Sequence, residues 1–382
     1  MINDHHILRD FKPRFATVRH KRKVPFSPQI TVSPDFSRRL LRIRELDFQL
    51  GRFILKAKDY AEIATEAYAA NIHWSTKLEG NPLSEEEVRR ITRSTLQGEM
   101  IEQRNGPIQE IINHALFHAG EESIPRDWEE AWICSLHRTL LDGTGSTAAI
   151  GSLRTTETSV YENGPERTEI FRPCPGPHVA AEMASLLKWL RETAPAFDPI
   201  VAAALFFHEF ESIHPFEDGN GRVGRTLFHL YLQKNGLKRS SLCKLDAELL
   251  THSDVYYNIL AYTDEAADYG PLLDMFSIAV LRSYEVAVQT LAPKDLLSST
   301  MDENSKRLII RFKECGDWLS VKDAVSFVEG AGEQTVRHRL QELVEMGVLE
   351  VKGRTKGMRF RFKVPFEQAS DDMGRTMPGV GG

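Results

Sequence analysis

Apolar positions recur at helical i, i+3, i+4 spacing from Phe36 to Ala70, through Leu40, Leu41, Ile43, Leu46, Phe48, Leu50, Ile54 and Ile63. The same periodicity predicts further helices over 107–118, 128–141, 178–193, 199–211 and 222–235, with Leu186, Leu187 and Leu190 on a core-facing stripe. The stretch Val201–Glu211 is apolar nearly all round, so its helix belongs in the middle of a domain. One segment breaks the pattern. Residues 151–173 are rich in threonine and turn at Asn163-Gly164-Pro165, which reads as a β-hairpin set among helices.

Near the C-terminus the pattern changes scale. The Pro, Ser and acidic content of 293–305 marks a linker. Short helices follow at 306–313, 321–328 and 333–346, then two strands joined across Gly353–Gly357, an arrangement that resembles a winged helix over 306–366. Residues 1–33 form a basic, mostly extended leader, 34–292 the main helical domain and 367–382 a disordered tail. The fold class expected is mainly α, with one hairpin and a small C-terminal domain.

A chain of 382 residues is long enough for more than one core. Its net charge of −6 excludes a body that coats nucleic acid, though a local basic patch remains compatible with it. The 4 cysteines, Cys134, Cys174, Cys243 and Cys315, have no metal-ligand or disulfide-framework spacing, which fits a reducing cytoplasm. His5-His6 reads as part of a solvated arm. No apolar run is long enough to span a membrane.

The densest chemistry lies in IHPFEDGNGRVGR, Ile213 to Arg225. Gly219, Asn220 and Gly221 precede a helix that starts near Arg222, so several backbone N–H groups without intrahelical acceptors collect where glycines allow close approach. Such a nest binds phosphate. Arg222 and Arg225 share a helix face and lean toward the same site. Asp218 among these donors suits a magnesium ion bridging phosphate oxygens, and His214 titrates close enough to neutrality to take a proton from a hydroxyl. Phe216 reads as a core anchor that also borders the nucleotide, and Glu217 as solvent-facing.

Residues 214–225 match His-x-Phe-x-(Asp/Glu)-Gly-Asn-Gly-Arg-x-x-Arg at every defined position, and in this the chain resembles the Fic family. The resemblance implies a Fic-type helical fold and AMP transfer from ATP to a Ser, Thr or Tyr hydroxyl of a target protein or of the chain itself. It implies His214 as base, Asp218 as ligand to magnesium or manganese, Gly219, Asn220 and Gly221 as the phosphate cradle, and Arg222 and Arg225 as the outer clamp. Gly221 favours AMP transfer, since family members that act as kinases carry lysine there.

By the same likeness, the hairpin entered at Gly151–Thr155 is a flap that aligns the target by strand addition, with Val160 and Tyr161 near its tip beside the nucleotide. Glu157, Val160 and Tyr161 replace the usual Gln-x-x-Ile-Gly run. Tyr256 and Tyr257 resemble the adenine-pocket pair, and Asp264 falls where a further polar residue is expected.

Ser75 and Glu79, at i and i+4 in STKLEGNP, resemble the family's inhibitory motif on a helix near 63–80, whose glutamate pairs with the second motif arginine, here Arg225. Such a pairing denies ATP its γ-phosphate clamp, and each tenfold suppression needs only about 1.4 kcal/mol. Two alternatives stand beside AMP transfer. One is AMP removal at the same site. The other is a DNA-binding regulator whose Fic part senses nucleotide, with Gln334, Thr335, Arg337, His338 and Arg339 on a recognition helix and Lys352, Arg354, Lys356, Arg359, Arg361 and Lys363 on the wing. Protein contact through that module and homodimerisation are further partner expectations.

Overall fold

The computed structural model describes residues 17–363 apart from 103, 120–124, 126, 162–167, 252, 299–300 and 355–356. The turn expected at Asn163-Gly164-Pro165, His5-His6, Lys356, the first part of the basic leader and the tail beyond Glu367 lie outside the described residues.

In chain order the elements are β1 (Val18–Arg19), α1 (Pro34–Arg52), α2 (Ala57–Leu78), α3 (Glu85–Leu96), α4 (Gly106–Ala119), α5 (Glu130–Leu141), β2 (Val160–Tyr161), β3 (Glu169–Arg172), α6 (Val179–Glu192), α7 (Pro199–Ile213) and α8 (Asn220–Lys234). They continue with α9 (Leu245–Leu250), α10 (Ser253–Ala266), α11 (Gly270–Leu291), α12 (Glu303–Cys315), β4 (Leu319–Ser320), α13 (Val321–Val325), α14 (Glu333–Glu345), β5 (Leu349–Lys352) and β6 (Arg359–Phe362). The fold is mainly helical, with two small sheets.

The chain divides into two compact units, residues 1–48 with 65–287 and residues 49–64 with 288–382. This differs from the single boundary expected at 293–305. The reason is Ile54, 2% exposed in the second unit's core beside Leu296, Leu308, Phe312 and Leu340, with its N–H donated to Asp295 Oδ1 at 2.9 Å. A segment with ordinary helical periodicity carries nothing in its own sequence to say which core will take it.

In the first unit the centre is α7. Asp198 caps it by accepting the Ile200 N–H at 2.9 Å, Pro199 occupies its first turn, and every residue from Pro199 to Phe210 is buried. Helix α8 packs against it through Phe207 and Phe228, and Phe276 of α11 fills the gap between them. Each buried phenylalanine contributes about 1.5–3 kcal/mol, so the pair that brackets the polar 214–219 turn is firmly held.

The first sheet has the order β1-β3-β2. Strands β2 and β3 are antiparallel, Val160 opposite Phe171 and Tyr161 opposite Glu169. Strand β1 runs parallel to β3, Val18 opposite Phe171, so the leader read as merely extended supplies a third strand. Two residues are too short for alternation to announce them. Among the described residues, β2 is an edge strand of this sheet.

In the second unit α12, α13 and α14 surround Leu308, Phe312, Val336 and Leu340, and the sheet order is β4-β6-β5. The β5–β6 pair is the expected strand pair, with Leu349 opposite Phe362. Strand β4, only Leu319–Ser320, joins β6 as an unexpected third member.

Candidate active site

His214 terminates α7 at φ 54°, a left-handed conformation shared among the described non-glycine residues only by Ala267. Such a conformation costs a non-glycine residue about 1–3 kcal/mol and persists only where its surroundings impose it. Arg154, 3% exposed, does much of the imposing. Its Nε donates to the His214 carbonyl at 2.6 Å, its NH2 to the carbonyls of Ile213 at 3.0 Å and Cys174 at 2.5 Å, and its NH1 to Thr156 O at 2.7 Å. Its backbone N–H reaches Pro215 O at 2.9 Å. One guanidinium thereby satisfies carbonyls left over at the end of α7, where a cation is also favoured by the helix dipole.

Asn220 closes the turn on itself, its side-chain amide accepting the Phe216 N–H and donating to the Phe216 carbonyl, both at 2.8 Å. The Phe216 ring is fully buried and stacks on His137 at 3.9 Å between centroids and 4° between planes. Ring and N–H are both committed inside the loop, as expected of a core anchor. His137 accepts the Gly151 N–H on Nδ1 at 2.8 Å, so Nε2 carries the proton it shares with the Asp218 carbonyl at 2.9 Å. Gly219, at φ 82°, opens α8, and a Cβ there would lie 2.8 Å from Leu141. The first N–H groups of α8, on Asn220, Gly221 and Arg222, have no intrahelical acceptors, the arrangement that receives an anion.

Both arginines already hold carboxylates. Arg222 pairs with Glu110 of α4 and, at 2.5 Å, with Asp218. Arg225, 2% exposed, donates from Nε to Ser75 Oγ at 2.8 Å, and from NH2 to the Ser75 carbonyl at 2.9 Å and to Glu79 Oε1 at 2.8 Å. Helix α2 delivers Ser75 on its last turn and stops at Leu78; Gly80, at φ 94°, turns the chain away after Glu79. Gly221 leaves the space in which Glu79 lies, since a Cβ there would stand 2.2 Å from Glu79 Oε1.

Burial and then the Arg154 charge push the His214 imidazole down to about 4, with Glu79 pulling the other way, so the ring is neutral near pH 7 and able to accept a proton. Burial pushes the Asp218 carboxyl up, but Arg222 and the Ser146 hydroxyl at 3.0 Å outweigh it and hold the group below its usual range. Burial opposes the Arg225 charge, and Glu79 more than restores it. An ionised, part-exposed carboxylate beside a phosphate-receiving helix end is chemically suited to a divalent cation.

His214, Asp218, Gly219 to Arg225, Ser75 and Glu79 are therefore brought together from both ends of the unit. Tyr256 is 2% exposed, with its phenol hydrogen-bonded to Arg225, while Tyr257 stands beside it, 42% exposed, at 5.2 Å between ring centroids. Asp264 is turned inward, accepting from Ser212 at 2.6 Å and lying 4.0 Å from Lys23. Val160 and Tyr161 lie in β2, and Glu157 accepts the Gly176 N–H at 3.2 Å. Glu217 is exposed and accepts from Ala149 N at 3.2 Å. Arg154, Glu110, His137 and Ser146 were not singled out as site residues. Only Arg154, a lone charge within the GSLRT entry to the hairpin, carried a usable signal.

In the second unit Gln334, Thr335 and His338, which were expected to face a nucleic-acid groove, are exposed on α14. Arg337 pairs with Glu333 at 3.1 Å, Arg339 with Asp302 at 3.3 Å, Arg361 with Glu350 at 2.6 Å and Arg359 with Asp323 at 4.0 Å.

Residues 127–232 match the Fic/DOC family model. Protein adenylyltransferase fic-1 of Caenorhabditis briggsae is 30% identical over 179 residues, 45% of this chain and 33% of that protein. Protein adenylyltransferase Fic of Aedes aegypti is 28% identical over 208 residues, 52% of this chain and 38% of the relative. The chain thus spans about a third of the length of these relatives. A crystal structure of a Fic family protein from Desulfovibrio desulfuricans G20 superposes with a TM-score of 0.59 at 25% identity, covering 88% of this chain and 98% of that one.

Proposed function

We propose that this Fic-domain protein transfers AMP from ATP to a hydroxyl of a protein side chain, and that Glu79 holds the reaction in check. The observation that carries the reading is His214, held by Arg154 beside a helix N-terminus whose two arginines both hold carboxylates. In the reaction His214 takes the proton of the incoming hydroxyl, whose oxygen attacks the α-phosphorus of ATP. The bond from that phosphorus to the oxygen bridging it to the β-phosphate breaks, and pyrophosphate leaves.

The N–H groups opening α8 receive the phosphates, with Arg222 and Arg225 as the outer clamp. Asp218, with Ser146 and Arg222 fixing its carboxylate, would hold the divalent cation, which supplies charge neutralisation to the phosphates when bound. Strand β2, as a sheet edge, offers backbone groups to an extended target segment. Tyr257, the exposed member of the tyrosine pair, is the one positioned to meet the base.

Glu79 competes with the γ-phosphate for Arg225, so release of that ion pair is the activating event. Mass spectrometry of the protein incubated with ATP and magnesium tests this. Glu79→Gly gains AMP adducts, and the same chain with His214→Ala does not. Adducts on Glu79→Gly that survive loss of His214 would end the assignment of the base. Adducts removed faster by wild type than by Glu79→Gly would add AMP removal to the activity.

A further inference from the structure

We infer that His20, Cys174 and Glu182 form a transition-metal site, best suited to zinc, behind the catalytic turn. The three donors come from the end of β1, the exit of β3 and the first turn of α6, and their ligand atoms all lie within 4.8 Å of one another. The side chains of His20 and Glu182 are each 1% exposed, and Cys174 is 1% exposed. Residues this far apart in the chain have no ligand spacing, which is why the cysteine pattern alone does not reveal them.

Proton accounting locates the donor atom on His20. Ser212 gives its one hydroxyl proton to Asp264 at 2.6 Å, so the 2.7 Å contact between His20 Nδ1 and Ser212 Oγ requires the proton on Nδ1. That leaves Nε2 as the atom facing Glu182 Oε2, 3.3 Å away. That pair is closed either by a second proton on the ring or by a metal ion held by both atoms.

A proton would suffice for an ion pair, but it leaves Cys174 unexplained at the third corner. The thiol's hydrogen bond is a long 3.6 Å contact to the carbonyl of Pro175. Zinc bonds to nitrogen, sulfur and carboxylate oxygen put neighbouring tetrahedral ligands about 3.3–3.6 Å apart. The His20–Glu182 separation already has that value, and the sulfur lies within 4.8 Å of both atoms.

A thiolate, a carboxylate and a neutral imidazole carry two negative charges, which a divalent ion neutralises. Metal uptake expels the Cys174 proton to solvent, from a thiol that burial and then Glu182 push up to about 12 in the metal-free chain. The Asp264–Ser212–His20 chain is the outer support that orients such a ligand. Glu182 Oε2 also accepts the Lys23 N–H at 3.3 Å, and Arg22 stands 3.5 Å from Oε1.

The site lies next to the machinery without belonging to it. Ser212 is two residues before His214, and the Cys174 carbonyl is one of the groups that anchor Arg154. A metal there clamps β1 and the β3 exit onto α6 and steadies the turn that holds His214.

The test uses the full chain, stripped with a chelator and titrated with cobalt(II) and then zinc. One cobalt per chain should bind, with sulfur-to-metal charge-transfer absorption that zinc bleaches and that Cys174→Ala lacks. Ser212→Ala should weaken zinc about 10–100-fold. In wild type, zinc should protect Cys174 from alkylation, read by peptide mass mapping, a readout independent of whether any variant folds. Absence of stoichiometric cobalt or zinc binding at micromolar metal, or unchanged Cys174 alkylation with zinc, would overturn the site.

Discussion

The arginines of the 214–225 loop and those of the C-terminal helix α14 and strand β6 are opposite in character. Arg225 is 2% exposed and its partners, Ser75 and Glu79, are 150 and 146 residues away in sequence. Arg337 pairs with Glu333 one helical turn away, and Arg361 with Glu350 across a hairpin, at 33% and 30% side-chain exposure. Exposed pairs of the second kind contribute about 0–1 kcal/mol and are screened by salt. A buried guanidinium is costly without a counter-charge, so Arg225 must always be paired, either by Glu79 or by something that replaces it. That necessity makes the first kind of pair suitable for a switch and the second a device for solubility and local order.

The largest break in the comparison is expected at the base. In a Glu79→Gly background, His214→Ala should lower AMP transfer about 10²–10⁴-fold, measured as initial rate, while circular dichroism stays unchanged. Next is the switch itself: Glu79→Gly should raise transfer at least about tenfold, equivalent to about 1.4 kcal/mol of bias removed. Glu79→Gln, which keeps shape but loses charge, should fall between Glu79→Gly and wild type.

Arg154→Ala should cost about 2–4 kcal/mol in denaturant unfolding, because it strands several buried carbonyls. It should also slow transfer by loosening His214. A smaller, sharper test is titration of the His214 ring by NMR. Its midpoint should sit near 4, so the basic form persists from pH 8 to pH 5 and is lost only as pH falls through about 4. Glu79 stabilises the protonated ring, so Glu79→Gly should move the midpoint further down. A midpoint near the ordinary value of about 6.5 would contradict the buried setting. The smallest effect is Arg361→Ala, which should change stability by less than about 1 kcal/mol.

Much of the site was legible because its parts sit close together in the chain. The 214–225 loop advertises itself through glycines and charges that no core needs, and the apolar run before it places it at the centre of a domain. Ser75 and Glu79 were legible only beside that loop, since a helix ending in Glu-Gly is commonplace. The remaining residues act through long-range geometry. Glu110 lies in an ordinary amphipathic helix, and nothing local says that it will hold Arg222. His137 looks like any histidine on a helix until Phe216 stacks on it. Strand β1 and the capture of 49–64 by the second unit are decided by tertiary pairing rather than by periodicity.

Parallel labelling from the α- and γ-positions of ATP, with wild type and Glu79→Gly, tests the central claim most directly. The account predicts that protein retains α-label and no γ-label, and that Glu79→Gly incorporates at least about tenfold more than wild type. Retention of γ-label, or equal α-label in the two proteins, would contradict it.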